Sequence, residues 1–201
     1  MTWIATISPA EATGRLGRAY ERIAGKDGQI DTILLAHSLR PHGLEGHLAL
    51  YKAVLHHAGN SVERWILETV GVAVSLANGC GYCVDHHASG LGRVLGDEGQ
   101  AQAILRALAA GRPKDALAGR ALAAVHYAQK LTCSPAEMCE DDIEALRAAG
   151  FTDGEILEVN QVAAYFAYAN RTVLGLGASP EGETLGLAPR NAADPADWRH
   201  G

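Results

Sequence analysis

From Pro41 onward the apolar positions Leu44, Leu48, Tyr51, Leu55 and Ala58 recur at intervals of three and four, the spacing that lines one face of an α-helix. "AGNS" ends that run, and Ser61 is placed to cap the next, which continues through "WILETVGVAVSLA" to Asn78-Gly79. A further helix follows "GCGYC" to about Leu95, and "AQAILRALAAG" and "DALAGRALAAVHYAQKL" supply two more. "DTILLAHSL" reads as a short apolar helix that stops before Pro41. Capping boxes mark other starts: Ser8-Pro9-Ala10-Glu11 ahead of "LGRAYERIAG", Ser134-Pro135-Ala136-Glu137, and Thr152-Asp153-Gly154-Glu155 before the last long helix. Alternating strand runs are absent, so the pattern predicts an all-α protein of eight or nine helices.

Residues 1–178 are expected to form one helical domain. From Ser179, "SPEGETLGLAPRNAADPADWRHG" has little periodicity and carries three prolines, which predicts an irregular C-terminal tail, tied down on its own domain or on a neighbour. A shift of 90 residues lays "ILETVGVAVSLA" (66–77) on "ILEVNQVAAYFA" (156–167) with six of twelve positions identical, a degenerate helical repeat around 153–177. Glu158 then matches Glu68, while Asn170, Val173 and Gly177 stand where the first copy has Cys80, Cys83 and His87.

Composition narrows the function classes. Among 201 residues, 48% apolar and 20% charged is an ordinary globular balance. A formal charge of −6 with no Lys/Arg-rich block argues against a nucleic-acid surface. The most apolar stretch, "WILETVGVAVSLANG", is too short to span a bilayer and contains Glu68. "MTWIATISPAEA" lacks the basic start and apolar run of a secretory signal, so a cytoplasmic location away from membranes is expected. In a reducing compartment a C-x-x-C pair points to redox or metal chemistry more than to a structural bridge.

That pair lies in "ANGCGYCVDHH". On one helix, Cys80, Cys83 and His87 share a face, with Cys83 one turn from His87. A break at Asn78-Gly79 would put both thiols in the first turn, where free N–H groups and the macrodipole favour a thiolate. If the flanking helices form an antiparallel hairpin, Glu68 lies about 15 Å back from the turn and His87 about 12 Å beyond it, near neighbours across the hairpin. The dipole alone makes Cys80 the more acidic thiol; the imidazole one turn away favours Cys83, and this is expected to win. A zinc site on Cys80, Cys83 and a histidine lacks an evident fourth ligand. Haem attachment needs histidine where Val84 stands. His86 is expected to point off this face, and His42, His47, His56 and His57 to be surface or interface residues. His47 and Tyr51, one turn apart, could line a pocket. Cys133 and Cys139 look incidental, and "GRPKDALAGR" a solvated connection.

Glu68, eleven residues, Cys80-Gly-Tyr-Cys83, three residues, His87 resembles the E-x11-C-x2-C-x3-H signature of AhpD-like alkylhydroperoxidases of the carboxymuconolactone decarboxylase superfamily. "HSLRPHGLEGHLALYKAV" and "VERWILETVGVAVSLANGCGYCVDHH" are similar to its peroxidase-related branch, and the likeness runs from about residue 8 to 178. The resemblance implies an AhpD-like helical bundle and a peroxidase that reduces organic hydroperoxides. It implies that Cys83 attacks the peroxide, that Cys80 resolves the sulfenic acid to a disulfide, and that Glu68 and His87 relay protons. It further implies an external dithiol reductant (a lipoylated or thioredoxin-type protein), a homo-oligomer (trimer or hexamer), and no metal, flavin or haem. Some members carry histidine between the cysteines, where this chain has Tyr82, which bears on how strongly Cys83 is activated. Two other readings are a non-redox enzyme of the decarboxylase kind, against which the cysteine pair counts, and a redox-sensing or binding module.

Overall fold

The structure, a computed structural model, describes residues 1–24 and 28–187. Its organising element is α4 (Arg64–Ala77), which is apolar nearly all round and buries every residue from Ile66 to Ser75. A helix of that kind has no face to offer water and must be enclosed. Helices α5 (Gly81–Leu95), α7 (Gly119–Cys133) and α9 (Asp153–Leu176) pack around it, with α6 (Glu98–Ala109) against α5 and α8 (Glu140–Ala148) against α7 and α9. The helices α1 (Gly14–Ile23), α2 (Thr32–Leu35) and α3 (Pro41–Tyr51) make a smaller apolar cluster through Leu16, Tyr20, Ile23, Leu34, Leu44 and Leu48. A π-helical turn, Lys52–His56, extends α3. The described residues are all-α, as the periodicity predicts.

Of the three capping boxes one starts its helix. Thr152 Oγ1 accepts from the Glu155 N–H while Glu155 Oε2 accepts from the Thr152 N–H at 2.8 Å, opening α9. Ser8 and Glu11 do bond to one another, but they close a turn, and α1 starts only after Thr13, at Gly14 with φ +58°. Ser134 precedes only a 3-10 turn at Pro135–Glu137; Met138 is extended, and α8 begins after Cys139, whose N–H Asp142 caps at 2.8 Å.

The working box supports a stability prediction. Glu155 is held down to about 2, first by the Thr152 N–H and then by Arg120, which bonds it at 2.6 Å. Glu155→Ala should lower unfolding free energy at neutral pH by about 1–2 kcal/mol, the upper range for a lost cap. Because the folded pKa is depressed, that stabilisation is complete above the unfolded value and is lost as pH falls toward 2. Urea unfolding of both proteins at pH 7 and near pH 3 checks this: the difference should narrow in acid.

The start of the tail is tied to the body. Ser179 N–H donates to the Met1 carbonyl at 3.1 Å, Gln29 donates to the Gly182 carbonyl at 3.1 Å, and Arg93 donates to the Leu185 carbonyl at 2.5 Å. At Gly186 (φ +71°) a Cβ would lie 2.7 Å from Ser89 Oγ and 2.8 Å from the Gly90 nitrogen, so only glycine lets this segment lie so close on α5. Residues 179–187 thus form a strap across one end of the bundle. The rest of the expected tail, 188–201, lies outside the described residues. Among the described residues no helix is long and apolar enough to cross a membrane.

Candidate active site

Helix α4 ends at Asn78, the chain reverses through Gly79 at φ +69°, and Cys80 is the N-cap residue of α5. Reversal is required because the left-handed conformation at Gly79 cannot continue a helix. Asn170 of α9 pins the turn: its amide donates to Ser75 Oγ at 3.0 Å and its carbonyl accepts from Asn78 Nδ2 at 3.0 Å. Asn170 stands at the repeat position of Cys80, so the second copy contributes a polar clamp beside the thiols it has lost.

The hairpin brings Glu68 to His87. Glu68 Oε2 lies 2.8 Å from His87 Nδ1, and Arg64, one turn back, places Nε 3.8 Å from the other carboxylate oxygen. A buried carboxylate needs such partners. Phe166 meets His87 edge-on at 4.5 Å. That ring occupies the space left by Gly71, where a Cβ would lie 2.4 Å from it. The imidazole is therefore fixed by a carboxylate and a packed ring together. Glu158, the repeat counterpart of Glu68, instead accepts from the Ser61 and Val62 N–H groups before α4.

Cys80 and Cys83 are unbridged and buried, in the first turn of α5. Cys80 is sealed off; Cys83 reaches the wall of a pocket that Glu68 and His87 also line. Cys80 is drawn down to about 7, chiefly by the bond from Cys83, and Asn170 helps. Cys83 is pushed up, because it donates to Cys80 and is buried. The imidazole is engaged with Glu68.

Tyr51, His47 and Tyr165 form another wall, and Gly186 and Leu187 of the strap complete it. His47 is therefore a pocket residue, as its spacing from Tyr51 allows, and His56 is buried, against the surface expectation; His42 and His57 are exposed. Burial, with His37 4.8 Å away, depresses His47 to about 3, so it is neutral at physiological pH. His86, expected off the site, is buried, lines the same pocket and stacks on Tyr82 at 4.6 Å. Tyr82 occupies the position between the cysteines, with its hydroxyl donating to Glu183 of the strap at 2.8 Å. Glu183 and Asp31 were not legible from spacing. Asp31 is pushed up to about 6, mainly by burial. Cys133 and Cys139 are exposed and away from the site.

A reduced cysteine pair at the turn of a buried helical hairpin, beside a carboxylate–imidazole pair in a pocket, defines a class of small helical proteins. Residues 46–130 match the carboxymuconolactone decarboxylase family. Over the whole fold the chain is similar to a peroxidase-related protein from Silicibacter sp. TM1040, with 25% identity, a TM-score of 0.76, and 89% of this chain and 91% of that one covered. A peroxidase-related protein from Ralstonia eutropha JMP134, described as an alkylhydroperoxidase AhpD core, gives 24% identity and a TM-score of 0.77 over 89% and 92%. The debrominase Bmp8, in complex with 2,3,4-tribromopyrrole, shares the fold at 17% identity and a TM-score of 0.70 over 90% and 93%. No curated protein matches the sequence. Residues 46–130 thus carry the match to the carboxymuconolactone decarboxylase family, and the fold over nearly the whole chain is that of AhpD-like, peroxidase-related proteins.

Proposed function

We propose that this protein is a thiol-dependent hydroperoxide reductase in which Cys83 is the nucleophile and Cys80 the resolving thiol. The observation that carries the reading is the inequality of the two thiols: Cys83 lines the pocket, and Cys80, three residues before it, is fully enclosed. Access outweighs acidity here, because a sealed thiolate cannot meet a peroxide. The monoanion of the pair shares one proton, and moving it from Cys83 to Cys80 exposes a thiolate at the pocket wall.

That thiolate attacks the distal oxygen of R–O–OH. An S–O bond forms, the O–O bond breaks, and Cys83 becomes a sulfenic acid while RO⁻ leaves. His87, oriented by Glu68, is the group at hand to protonate the alkoxide to ROH. The Cys80 thiol then gives up its proton, the thiolate attacks the Cys83 sulfur, and hydroxide leaves as water. The sum is two thiols plus ROOH giving a disulfide, ROH and water. An external dithiol, of the lipoylated or thioredoxin type, restores the thiols by exchange.

The test is consumption of cumene hydroperoxide by the reduced protein with excess dithiothreitol. Catalytic turnover, with two thiols per chain lost when dithiothreitol is withheld, supports the proposal. No peroxide-dependent thiol loss contradicts it.

A further inference from the structure

We infer that Asp31, His86 and Glu183 form a divalent-cation site that fastens the C-terminal strap over the thiol pocket. The three come from different places: Asp31 caps α2, His86 lies in α5 and Glu183 lies in the strap. One ligand atom from each falls within 4.8 Å of the others. His86 Nε2 and Glu183 Oε2 are 3.0 Å apart, near the edge length that two donors span around a metal with bonds of about 2.0–2.1 Å. The remaining separation closes with a shift of roughly one ångström in a carboxylate at such bond lengths.

Two further observations point to a ligand. His86 is buried, and its Nε2 is sealed from solvent without a hydrogen-bond partner among the described residues: Glu183 is near enough, but off the line that an N–H···O bond needs. An imidazole nitrogen beside two carboxylates is a metal donor set. Glu183 is also held as ligating carboxylates are. The Thr32 N–H donates to Oε1 at 2.9 Å and the Tyr82 hydroxyl to Oε2 at 2.8 Å, while the Tyr82 ring stacks on His86 and fixes its plane. Two half-buried carboxylates within 4.8 Å of one imidazole nitrogen form a cluster whose charge a dication would balance. One imidazole and two carboxylates suit Zn²⁺, Mn²⁺ or Fe²⁺ better than a thiophilic ion. This site uses neither cysteine, and it stands whether or not the thiols turn over peroxide. Its consequence is mechanical. Gly186 and Leu187, three and four residues beyond Glu183, wall the pocket beside Cys83, so a bound cation holds that wall shut.

Mn²⁺ is the probe of choice, since it binds thiolates weakly and its aqueous EPR signal disappears on binding. With chelator-stripped, reduced full-length protein, one Mn²⁺ should bind per chain and be displaced by Zn²⁺, which stands higher in the affinity order. Glu183→Gln and Asp31→Asn should each weaken binding about tenfold or more, whereas a Cys80→Ser/Cys83→Ser double variant should keep it. Saturating Mn²⁺ should also slow iodoacetamide labelling of Cys83 in the wild type and leave the rate unchanged in Glu183→Gln. Glu183 lies on the strap outside the helical core, so this variant should fold, with unchanged circular dichroism as the check. No binding at millimolar Mn²⁺ or Zn²⁺, or binding that Glu183→Gln leaves intact, overturns the site. Unaltered labelling in the loaded wild type overturns the closure.

Discussion

Cys83→Ser should abolish hydroperoxide consumption, and Cys80→Ser should stop it after a single turnover. The two changes remove atoms only a turn apart, yet they differ because the pocket reaches one sulfur and not the other. Without Cys83, the remaining thiol lies sealed beneath the wall, and its low pKa is lost too, because the bond from Cys83 is the first cause of that depression. Without Cys80, Cys83 loses the acceptor that raises its pKa and still faces the substrate. It should react once and stall as a sulfenic acid with no partner to condense with. Single-turnover peroxide loss, measured at equal protein and peroxide, separates the cases: none for Cys83→Ser, about one equivalent for Cys80→Ser. Full catalytic turnover by Cys83→Ser would invert the assignment.

His87→Ala should lower kcat/KM by about two orders of magnitude, the lower range for a positioned acid–base group. Stability should fall as well, because Glu68 is left in the core with Arg64 alone, 3.8 Å away. A buried acceptor stripped of its partner costs about 1–3 kcal/mol. Glu68→Gln should be milder in activity, roughly tenfold, since the amide oxygen can still accept from the imidazole and keep it oriented, without the charge that supports its proton. Urea unfolding keeps the two effects apart, and added imidazole should restore part of the His87→Ala rate by filling the vacated space. A variant lacking His87 that matches the wild type in kcat/KM would remove the relay from the mechanism.

The hairpin was legible in the chain for a physical reason. Asn-Gly ends a helix in any context, and the residue counts on either side bring position 68 to position 87 by rise per residue alone. Local signals failed where a second local structure competes for the same letters. Ser8 and Glu11 satisfy one another in a turn as readily as at a helix start, and only at Thr152 does the following backbone stay helical. The place of His86 is not legible in the sequence, because burial of a polar residue is decided by what the other elements put beside it. For His86 that neighbour is Glu183, almost a hundred residues away in a segment with no periodicity. Spacing placed an imidazole one turn from Cys83 and Glu68 across the hairpin from it, but not the burial that encloses both thiols.

The most direct test is peptide mapping of the Cys80→Ser protein after one equivalent of cumene hydroperoxide in the presence of dimedone. A dimedone adduct on the peptide containing Cys83, absent when peroxide is omitted, is the predicted result. No adduct on Cys83, together with an adduct on Cys80 in the Cys83→Ser protein, would contradict the account.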